Sequence, residues 1–329
     1  MKNNYLLKQN TIYLTNEQIN CLLLLNNNIL LCGISDGSII LYNILNYFKI
    51  MSIKEHSDGI NYLIQIPLNN KNNNNNYNNN YFNYSNYKII SCSSDSYLNI
   101  YSLKINNYTI ISYLIEKKIF NNSPINKILY IQNKNILISC SSDKKIKVYD
   151  NNNYEIITNI NLFNLNNSYE INNILEINNE ILITSYKEKS IKFLNINTFQ
   201  TIKTINNIVI NAYQNSLALF NDNILIIGSI QKIIFLNVIT KRIIKIFKIH
   251  YRHPISFLII DNKHFLTGEK EGKIKYYKYY GNELKKLYEY DNYNNIINAK
   301  EVSSIIKFEN NKIITSCYDG SINIYNINL

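Results

Sequence analysis

The chain has 329 residues, 46% of them hydrophobic, and a formal net charge of +11, so it can bury a large core and favours acidic partners. Its five cysteines are odd in number and include no CxxC pair, which argues against a disulfide framework or a zinc site. No apolar run reaches the roughly 18 residues needed to cross a bilayer, and no signal-peptide stretch opens the chain. This predicts a protein without membrane insertion in a reducing compartment, the cytoplasm or the nucleus.

A β segment within residues 5–14 is the first predicted element. After it a short phrase recurs seven times: a β-rich run, a tight polar turn, and a second β-rich run that usually ends in an aromatic residue. The intervals between successive turns are 59, 48, 45, 43, 40 and 48 residues, and most are close to the roughly 40 to 45 residues of a four-stranded propeller blade. The residues that mark the turns are Asp36, Asp95, Asp143, Glu188, Gln231, Glu271 and Asp319.

Each phrase is flanked by further apolar segments, such as residues 19–25 before the first phrase and 243–249 after the fifth. With them, every unit contains four short strands, and no segment shows a sustained helical period. We therefore expect an all-β protein in which each unit is a four-stranded antiparallel sheet.

The longest interval contains an Asn-rich tract over residues 69–86. Such a tract has too little apolar surface to offset the entropy lost on ordering. We predict that residues 69–86 form a disordered surface loop in the second unit.

The two ends of the chain complement each other. The last unit supplies three strands, and the β segment near the start has no unit of its own. Pairing the two would complete a seventh sheet and remove exposed strand edges. The prediction is one domain over residues 1–329, a seven-bladed β-propeller closed by residues 1–14.

The second unit shows most clearly which family the repeats resemble. His56 precedes its first strand, Ser91 is on the second, Asp95 is in the turn, and Tyr101 ends the third. This pattern resembles the WD40-repeat β-propellers, in which His, Ser, Asp and Trp at these places form a hydrogen-bonded support within the blade. The resemblance implies the same structural role for these four residues. The chain has no Trp, and its places hold Tyr42, Tyr101, Tyr149, Leu194, Leu236, Tyr277 and Tyr325.

Motifs for catalysis or metal binding are missing from the sequence. It contains no Walker loop, GxGxxG or HExxH motif, and the Ser-Ser-Asp phrases are already explained by the turns. His250 and His253 are three residues apart, but we interpret them as part of a connector, with His250 at the place of the family His. We predict no enzyme activity, no metal site and no cofactor.

In the resembled family, the residue before each turn marker lies near the mouth of the central channel. The first three units have Ser at this place, whereas the last four have Lys187, Ile230, Lys270 and Tyr318. Apolar and aromatic side chains flanked by cations are typical of protein interaction sites. We therefore predict that these four residues bind a protein partner on the turn-side face.

Residues 232–286 carry most of the positive charge, with 13 Lys or Arg against four Asp or Glu. Lys273, Lys275 and Lys278 lie there close to four tyrosines, which predicts a basic patch for RNA or an acidic partner. The alternative interpretation is that these lysines only keep the outer strands soluble.

The sequence is most typical of a non-catalytic scaffold that is monomeric by itself and binds protein partners in an intracellular multiprotein complex. An RNA-associated factor in ribosome assembly, using the basic residues of units five and six, is the alternative. A substrate receptor of a ubiquitin ligase is a third hypothesis.

Overall fold

The expected all-β propeller is confirmed by the computed structural model. Within the described part of the chain, β-strands are joined by turns and by a short 3₁₀ turn at Gln132–Lys134. No helix in that part is long and apolar enough to cross a membrane. The structure describes residues 6–25, 28–68, 84–106, 109–162, 170–178, 180–185, 189–208, 216–249, 254–291, 301–309 and 311–327.

The described strands form seven four-stranded sheets, called blades below. Six blades use four consecutive strands, placed side by side in sequence order from the innermost to the outermost. The first strand, β1 (Leu6–Tyr13), belongs to the last blade. Blade 1 consists of β2 (Ile19–Leu25), β3 (Ile29–Ile34), β4 (Ser38–Asn43) and β5 (Phe48–Lys54). Blade 2 consists of β6 (Ile60–Ile66), β7 (Tyr84–Ser93), β8 (Tyr97–Asn106) and β9 (Thr109–Phe120). Blade 3 consists of β10 (Ile125–Ile131), β11 (Ile136–Ser141), β12 (Lys145–Asp150) and β13 (Ile156–Asn161).

Blades 4 to 7 follow in the same way. Blade 7 has the strand order β1-β28-β27-β26, so its outermost strand comes from the start of the chain. Blade 4 consists of β14 (Ile171–Ile177), β15 (Glu180–Ser185), β16 (Ser190–Asn195) and β17 (Thr201–Ile205), and blade 5 of β18 (Leu217–Asn221), β19 (Ile224–Ser229), β20 (Lys232–Asn237) and β21 (Arg242–Lys248). Blade 6 consists of β22 (Pro254–Ile259), β23 (His264–Glu269), β24 (Lys273–Tyr279) and β25 (Leu284–Asp291). The other three strands of blade 7 are β26 (Val302–Glu309), β27 (Lys312–Cys317) and β28 (Ser321–Ile327).

The pairing of β1 with β28 joins the two ends of the chain. The antiparallel register runs from Leu6 opposite Ile327 to Tyr13 opposite Ser321, with a bulge between Lys8 and Asn10. Leu6 is 1% exposed, and the β1 residues face alternately inward and outward, as expected of a strand on a core. The structure therefore places the β segment expected within residues 5–14 on the last blade.

The core lies between the blades. Side chains alternate between the two faces of a strand, so a strand inside a blade contributes to two interfaces. In β4, Ile39 and Leu41 pack toward blade 2, whereas Ile40 and Tyr42 pack with residues of blade 7. All six residues of β4 are buried, which explains why it reads as a continuous apolar run.

A belt of hydrogen bonds links the innermost strands of neighbouring blades. In each bond, a polar side chain near the start of one innermost strand donates to the carbonyl oxygen of the first residue of the next one. The bonds are Asn20 Nδ2 to Ile60 O (3.1 Å), Asn61 Nδ2 to Ile125 O (2.8 Å), Asn126 Nδ2 to Ile171 O (2.8 Å), Ser256 Oγ to Val302 O (3.1 Å) and Ser303 Oγ to Ile19 O (2.5 Å).

One sequence-based expectation needs correction. The Asn-rich loop does not extend to Asn86, because β7 begins at Tyr84 and its first residues pair with the end of β8. Polar composition alone did not reveal this, since β8 supplies the backbone partners. Residues 69–83 lie outside the described residues.

Candidate functional site

The turn between the second and third strands of a blade is tied to the start of the innermost strand. Ser94 N–H donates to Gly59 O at 2.9 Å, and Tyr318 N–H donates to Glu301 O at 3.0 Å, each acceptor standing just before its innermost strand. Ser35 and Ser142 make the equivalent bonds. These four residues therefore lie at one end of their blades, beside the starts of the innermost strands.

Each turn with an Asp marker is closed by that carboxylate. Asp95 Oδ1 accepts the N–H of Tyr97 at 2.9 Å, and the residue between them, Ser96, has a φ of 73°. Asp side chains often accept the backbone N–H two residues later in this way. In blade 7 the left-handed position is Gly320, where a Cβ would overlap the carbonyl oxygen of Thr15, so glycine is required.

Blade 5 has a shorter turn between its second and third strands, so Leu236 follows the turn marker Gln231 by five residues, whereas Tyr101 follows Asp95 by six. Only Ile230 and Gln231 lie between β19 and β20, whereas three residues lie between β7 and β8. Gln231 has a φ of 55° and therefore takes the place of Ser96, not that of the carboxylate. Ile230 follows Ser229 directly and is 42% exposed.

Two of the predicted partner-binding residues meet at Glu301. Lys270 Nζ is 3.6 Å from Glu301 Oε1, and the N–H of Tyr318 binds the backbone of the same residue. The side chain of Lys270 is about half exposed, whereas burial raises the pKa of Tyr318 to about 12, so its hydroxyl stays neutral. Ile230 lies one blade away, in blade 5, and Lys187 lies outside the described residues.

The four support residues of blade 2 form one hydrogen-bonded chain. His56 Nδ1 is 2.8 Å from Asp95 Oδ2, and His56 Nε2 is 2.6 Å from Ser91 Oγ. Ser91 Oγ in turn is 3.4 Å from Tyr101 Oη, to which Asn99 donates at 3.2 Å. Tyr101 thus takes the place of the family Trp with a hydroxyl that joins the chain.

The surroundings of His56 in this hydrogen-bonded set of residues favour a neutral imidazole. Burial is the largest effect on His56 and lowers its pKa below the ordinary value of 6.5, although Asp95 opposes the shift. For Asp95, burial alone would raise the pKa, but the N–H of Tyr97 and the His56 ring hold it below its usual range. Neutral His56 therefore donates to Asp95 and accepts from Ser91.

Blade 3 replaces the His with other polar groups. Asn121 stands at the place of His56, and Lys147 Nζ donates to its carbonyl oxygen at 2.9 Å. Ser139 Oγ and Tyr149 Oη are 3.3 Å apart, and the corresponding atoms of Ser91 and Tyr101 in blade 2 are 3.4 Å apart. His250, at the corresponding place in blade 6, lies outside the described residues, as does His253.

The lysines of the predicted basic patch have different surroundings. Lys273 Nζ is 2.9 Å from Glu289 and 3.4 Å from Asp291, and buried Lys275 is 2.6 Å from Glu269. Lys278 lies over the ring of Tyr280, at 5.1 Å. Lys273 and Lys275 therefore have carboxylate partners within their own blade, which weakens their attraction for phosphates.

A buried cation links three blades. Lys127 Nζ on β10 donates to Asn173 Oδ1 on β14 at 2.8 Å and lies 4.9 Å from the ring centroid of Tyr62 on β6. Burial lowers the pKa of Lys127 to about 8. Because this side chain contacts its neighbours and is only 6% exposed, we assign it a packing role.

The described residues contain no group of three or more His, Cys, Asp or Glu side chains arranged to hold a metal ion. All five cysteines are free thiols and buried. Burial raises the pKa of Cys21 and Cys140 to about 12, so these thiols are poor ligands and nucleophiles.

Sequence reasoning missed two features. The belt of Asn20, Asn61 and Asn126 has a visible signal, since each follows an Ile that opens an innermost strand. The second feature is a groove between blades 5 and 6, with a volume of about 240 Å³. Its signal is β21, where large apolar residues stand at successive positions and both faces are therefore apolar.

Comparison with known protein families gives one match in this chain. Residues 116–150 match the WD40 family model, described as "WD domain, G-beta repeat". Blade 3 is therefore similar to a WD40 repeat. The matched WD40 segment runs from the end of β9 through β12, where no insertion separates the first two strands. A search of curated proteins found no match to the chain.

The WD40 resemblance noted from the repeats is supported by this match together with the propeller arrangement. The match covers blade 3 rather than blade 2, although blade 2 has the complete set of support residues. In blade 2, residues 67–83 separate β6 from β7, whereas the 3₁₀ turn and Asn135 separate β10 from β11.

Proposed function

We propose that the protein is a non-catalytic scaffold: a closed, seven-bladed WD40-like ring that binds protein partners on its turn-side face within a multiprotein complex. WD40 propellers are generally scaffolds for protein interactions. The observation that carries the proposal is that Lys270 and Tyr318 both contact Glu301, Lys270 through its ammonium group and Tyr318 through its backbone N–H, because this brings residues of the turns of blades 6 and 7 together.

Closure of the ring is supported at the junction of blades 7 and 1. Pairing between β1 and β28 ties the chain ends together, and Ser303 on β26 donates to the carbonyl oxygen of Ile19 on β2. Side chains from blades 7 and 1 also share one apolar cluster, which includes Ile314 and Ile40. A closed ring keeps its face rigid, which lowers the entropy lost when a partner binds.

A catalytic role for the Asp-His-Ser chain is disfavoured by burial. Ser91 is 0% exposed and His56 is 3% exposed, so no substrate can approach the Ser91 hydroxyl without opening the blade. A nucleophile must reach the reacting atom of its substrate. The geometry is therefore that of a structural hydrogen-bond chain.

The test is a pull-down with quantitative mass spectrometry from cells of the source organism. We expect Lys270→Ala with Tyr318→Ala to lower the recovery of specific partners at least fivefold while the thermal unfolding midpoint stays within a few degrees of the parent value. Lys203→Ala with Tyr113→Ala, on the outer strands of blades 4 and 2, is the matched control. An unchanged partner list for the first variant would reject this face as the binding site.

A further inference from the structure

The outermost strand of blade 5 differs from an ordinary solvent-facing edge. Three of its isoleucines are 38–45% exposed, Ile243, Ile244 and Ile246, and Ile239 just before the strand is 64% exposed. Because β21 is last in the strand order of its sheet, one edge of its backbone has no strand partner within the sheet. Long apolar edges of this kind invite pairing with another strand.

The charge of β21 is entirely positive. Arg242, Lys245 and Lys248 are exposed, and the strand contains no acidic residue. Within the described residues, neither Lys245 nor Lys248 takes part in an ion pair. These two cations are therefore available for a partner, unlike Lys273 and Lys275 in blade 6.

A groove runs between β21 and blade 6. Its aromatic side chains are packed against other rings: Phe247 lies edge-on to Phe235 at 5.3 Å, and Tyr277 stacks on Phe265 at 5.3 Å. The volume of about 240 Å³ is below the roughly 300–1,000 Å³ of sites for drug-sized ligands, and suits one or two apolar side chains. The residues lining it are Phe247, Lys248, Ile249, Lys275, Tyr277, Leu284 and Lys286.

Most of the acidic charge beside the groove is already neutralised. Glu269 is buried against Lys275 at 2.6 Å, and Glu289 binds Lys286 at 2.6 Å. Burial by itself would raise the pKa of Glu289, but the hydrogen bonds from Lys286 and Lys273 lower this pKa to about 2. The exposed cations of β21 add positive charge at this edge of the blade.

We propose that an extended peptide segment of a partner protein, in which acidic and apolar residues alternate, adds to the free edge of β21. Its backbone would pair with β21, its apolar side chains would enter the groove on the face of Phe247, and its carboxylates would project from the opposite face, on the side of Lys248. Lys245 lies on the groove face and adds positive charge at the same edge. Strand addition with pockets for alternate side chains is an established mode of peptide recognition. An acidic segment complements the cations, whereas an RNA strand offers no backbone N–H and C=O groups for the free edge.

The test uses the full chain and a fluorescein-labelled synthetic octapeptide of alternating leucine and aspartate, followed by fluorescence polarisation. We expect saturable binding that becomes about tenfold weaker in Lys245→Glu with Lys248→Glu, equivalent to about 1.4 kcal/mol. The matched control is Lys49→Glu with Lys203→Glu, which reverses two exposed lysines on the outer strands of blades 1 and 4 and should change Kd less than twofold.

Three further peptides separate the contributions. Replacing the central leucines by alanine should weaken binding at least threefold if the groove takes them, and replacing alternate residues by proline should abolish it if the backbone pairs with β21. A peptide with lysine in place of aspartate should not bind. Absence of octapeptide binding at 1 mM, an equal loss in the control variant, or retained binding of the proline peptide would overturn the proposal.

A decauridine strand is measured in the same way. If it binds more tightly than the octapeptide and is lost in the Lys245→Glu and Lys248→Glu variant, the surface serves RNA and the peptide proposal is wrong. The variants Lys270→Ala and Tyr318→Ala should bind the octapeptide as the parent does, so this test is independent of the turn-side face.

Discussion

Blades 2 and 5 reach the same four-stranded form by different means. In blade 2, His56, Ser91 and Asp95 link three parts of the blade through hydrogen bonds. In blade 5, the places of Ser91 and Tyr101 hold Ile227 and Leu236, both 0% exposed, and the turn has no carboxylate. Aromatic contacts dominate there instead, with Phe235 stacked on Tyr279 of blade 6 at 4.4 Å.

The comparison teaches that the polar support is one of two ways to stabilise a blade. What the blades share is the alternation of side chains, which buries both faces of the middle strands between neighbours. A buried hydrogen-bonded chain adds specificity, but its loss exposes the remaining partners to a desolvation penalty. A blade that is stabilised by packing does not depend on one polar partner in this way. Its stability depends instead on how well the volumes of the buried side chains fill the space between the blades.

The largest expected effect tests blade 5. Phe235→Ala removes a 0% exposed ring from the contact between blades 5 and 6 and should lower the free energy of unfolding by about 3–5 kcal/mol, because a cavity replaces the ring. Urea denaturation followed by circular dichroism measures it. Ile239→Ala on the exposed β20–β21 connection is the control and should change stability by less than about 0.5 kcal/mol.

A smaller effect is expected in blade 2. His56→Ala and Asp95→Ala should each lower the free energy of unfolding by about 1–3 kcal/mol, since each leaves a polar partner without its bond. The double variant should cost clearly less than the sum of the two, with a coupling of about 0.5–3 kcal/mol in the double-mutant cycle. Strictly additive effects would mean that the two side chains do not act as a unit.

The smallest effect is the pH dependence of blade 2. Burial lowers the pKa of His56 below the value of 6.5 for the unfolded chain, so the unfolded state binds the extra proton first. The contribution of His56 is therefore fully present above about pH 6.5 and decreases as the pH falls toward its lower pKa in the folded state.

Thermal unfolding midpoints between pH 7.5 and pH 5 measure this effect. His56→Asn is the matched variant, because Asn121 already stands at that place in blade 3, and it should lose part of the pH dependence. The groups that act on His56 are Asp95, Glu55 and Lys118, of which only Lys118 favours the neutral form. An identical pH profile for parent and variant would show that His56 is not buried in its neutral form.

Much of the fold was predictable from the sequence, because the repeat period indicates the blades and the apolar segments indicate the short strands within each blade. The pairing of residues 6–13 with the last blade was also predictable, since three strands leave a place for one more. The start of β7 at Tyr84 was not, because its pairing depends on β8 rather than on its own composition.

The candidate sites were predictable only in part. His56, Ser91, Asp95 and Tyr101 were found through the resemblance to the WD40 pattern, and the structure places them in hydrogen-bond contact. The partners of Lys275 were not found, because the approach of Glu269 depends on the turn between β23 and β24 and on burial there. Charge along a sequence alone does not show which lysines have carboxylate partners.

The most direct test of a closed propeller is a cross-link between its ends. Leu7 on β1 and Asn326 on β28 are directly opposite each other, and Leu7 is 44% exposed. In the variant Leu7→Cys with Asn326→Cys, mild oxidation should give an intramolecular disulfide in most molecules, detected by mass and by faster migration on a non-reducing gel, and should raise the thermal unfolding midpoint. Molecules that remain reduced, or that form only intermolecular dimers, would contradict a ring closed by its first strand.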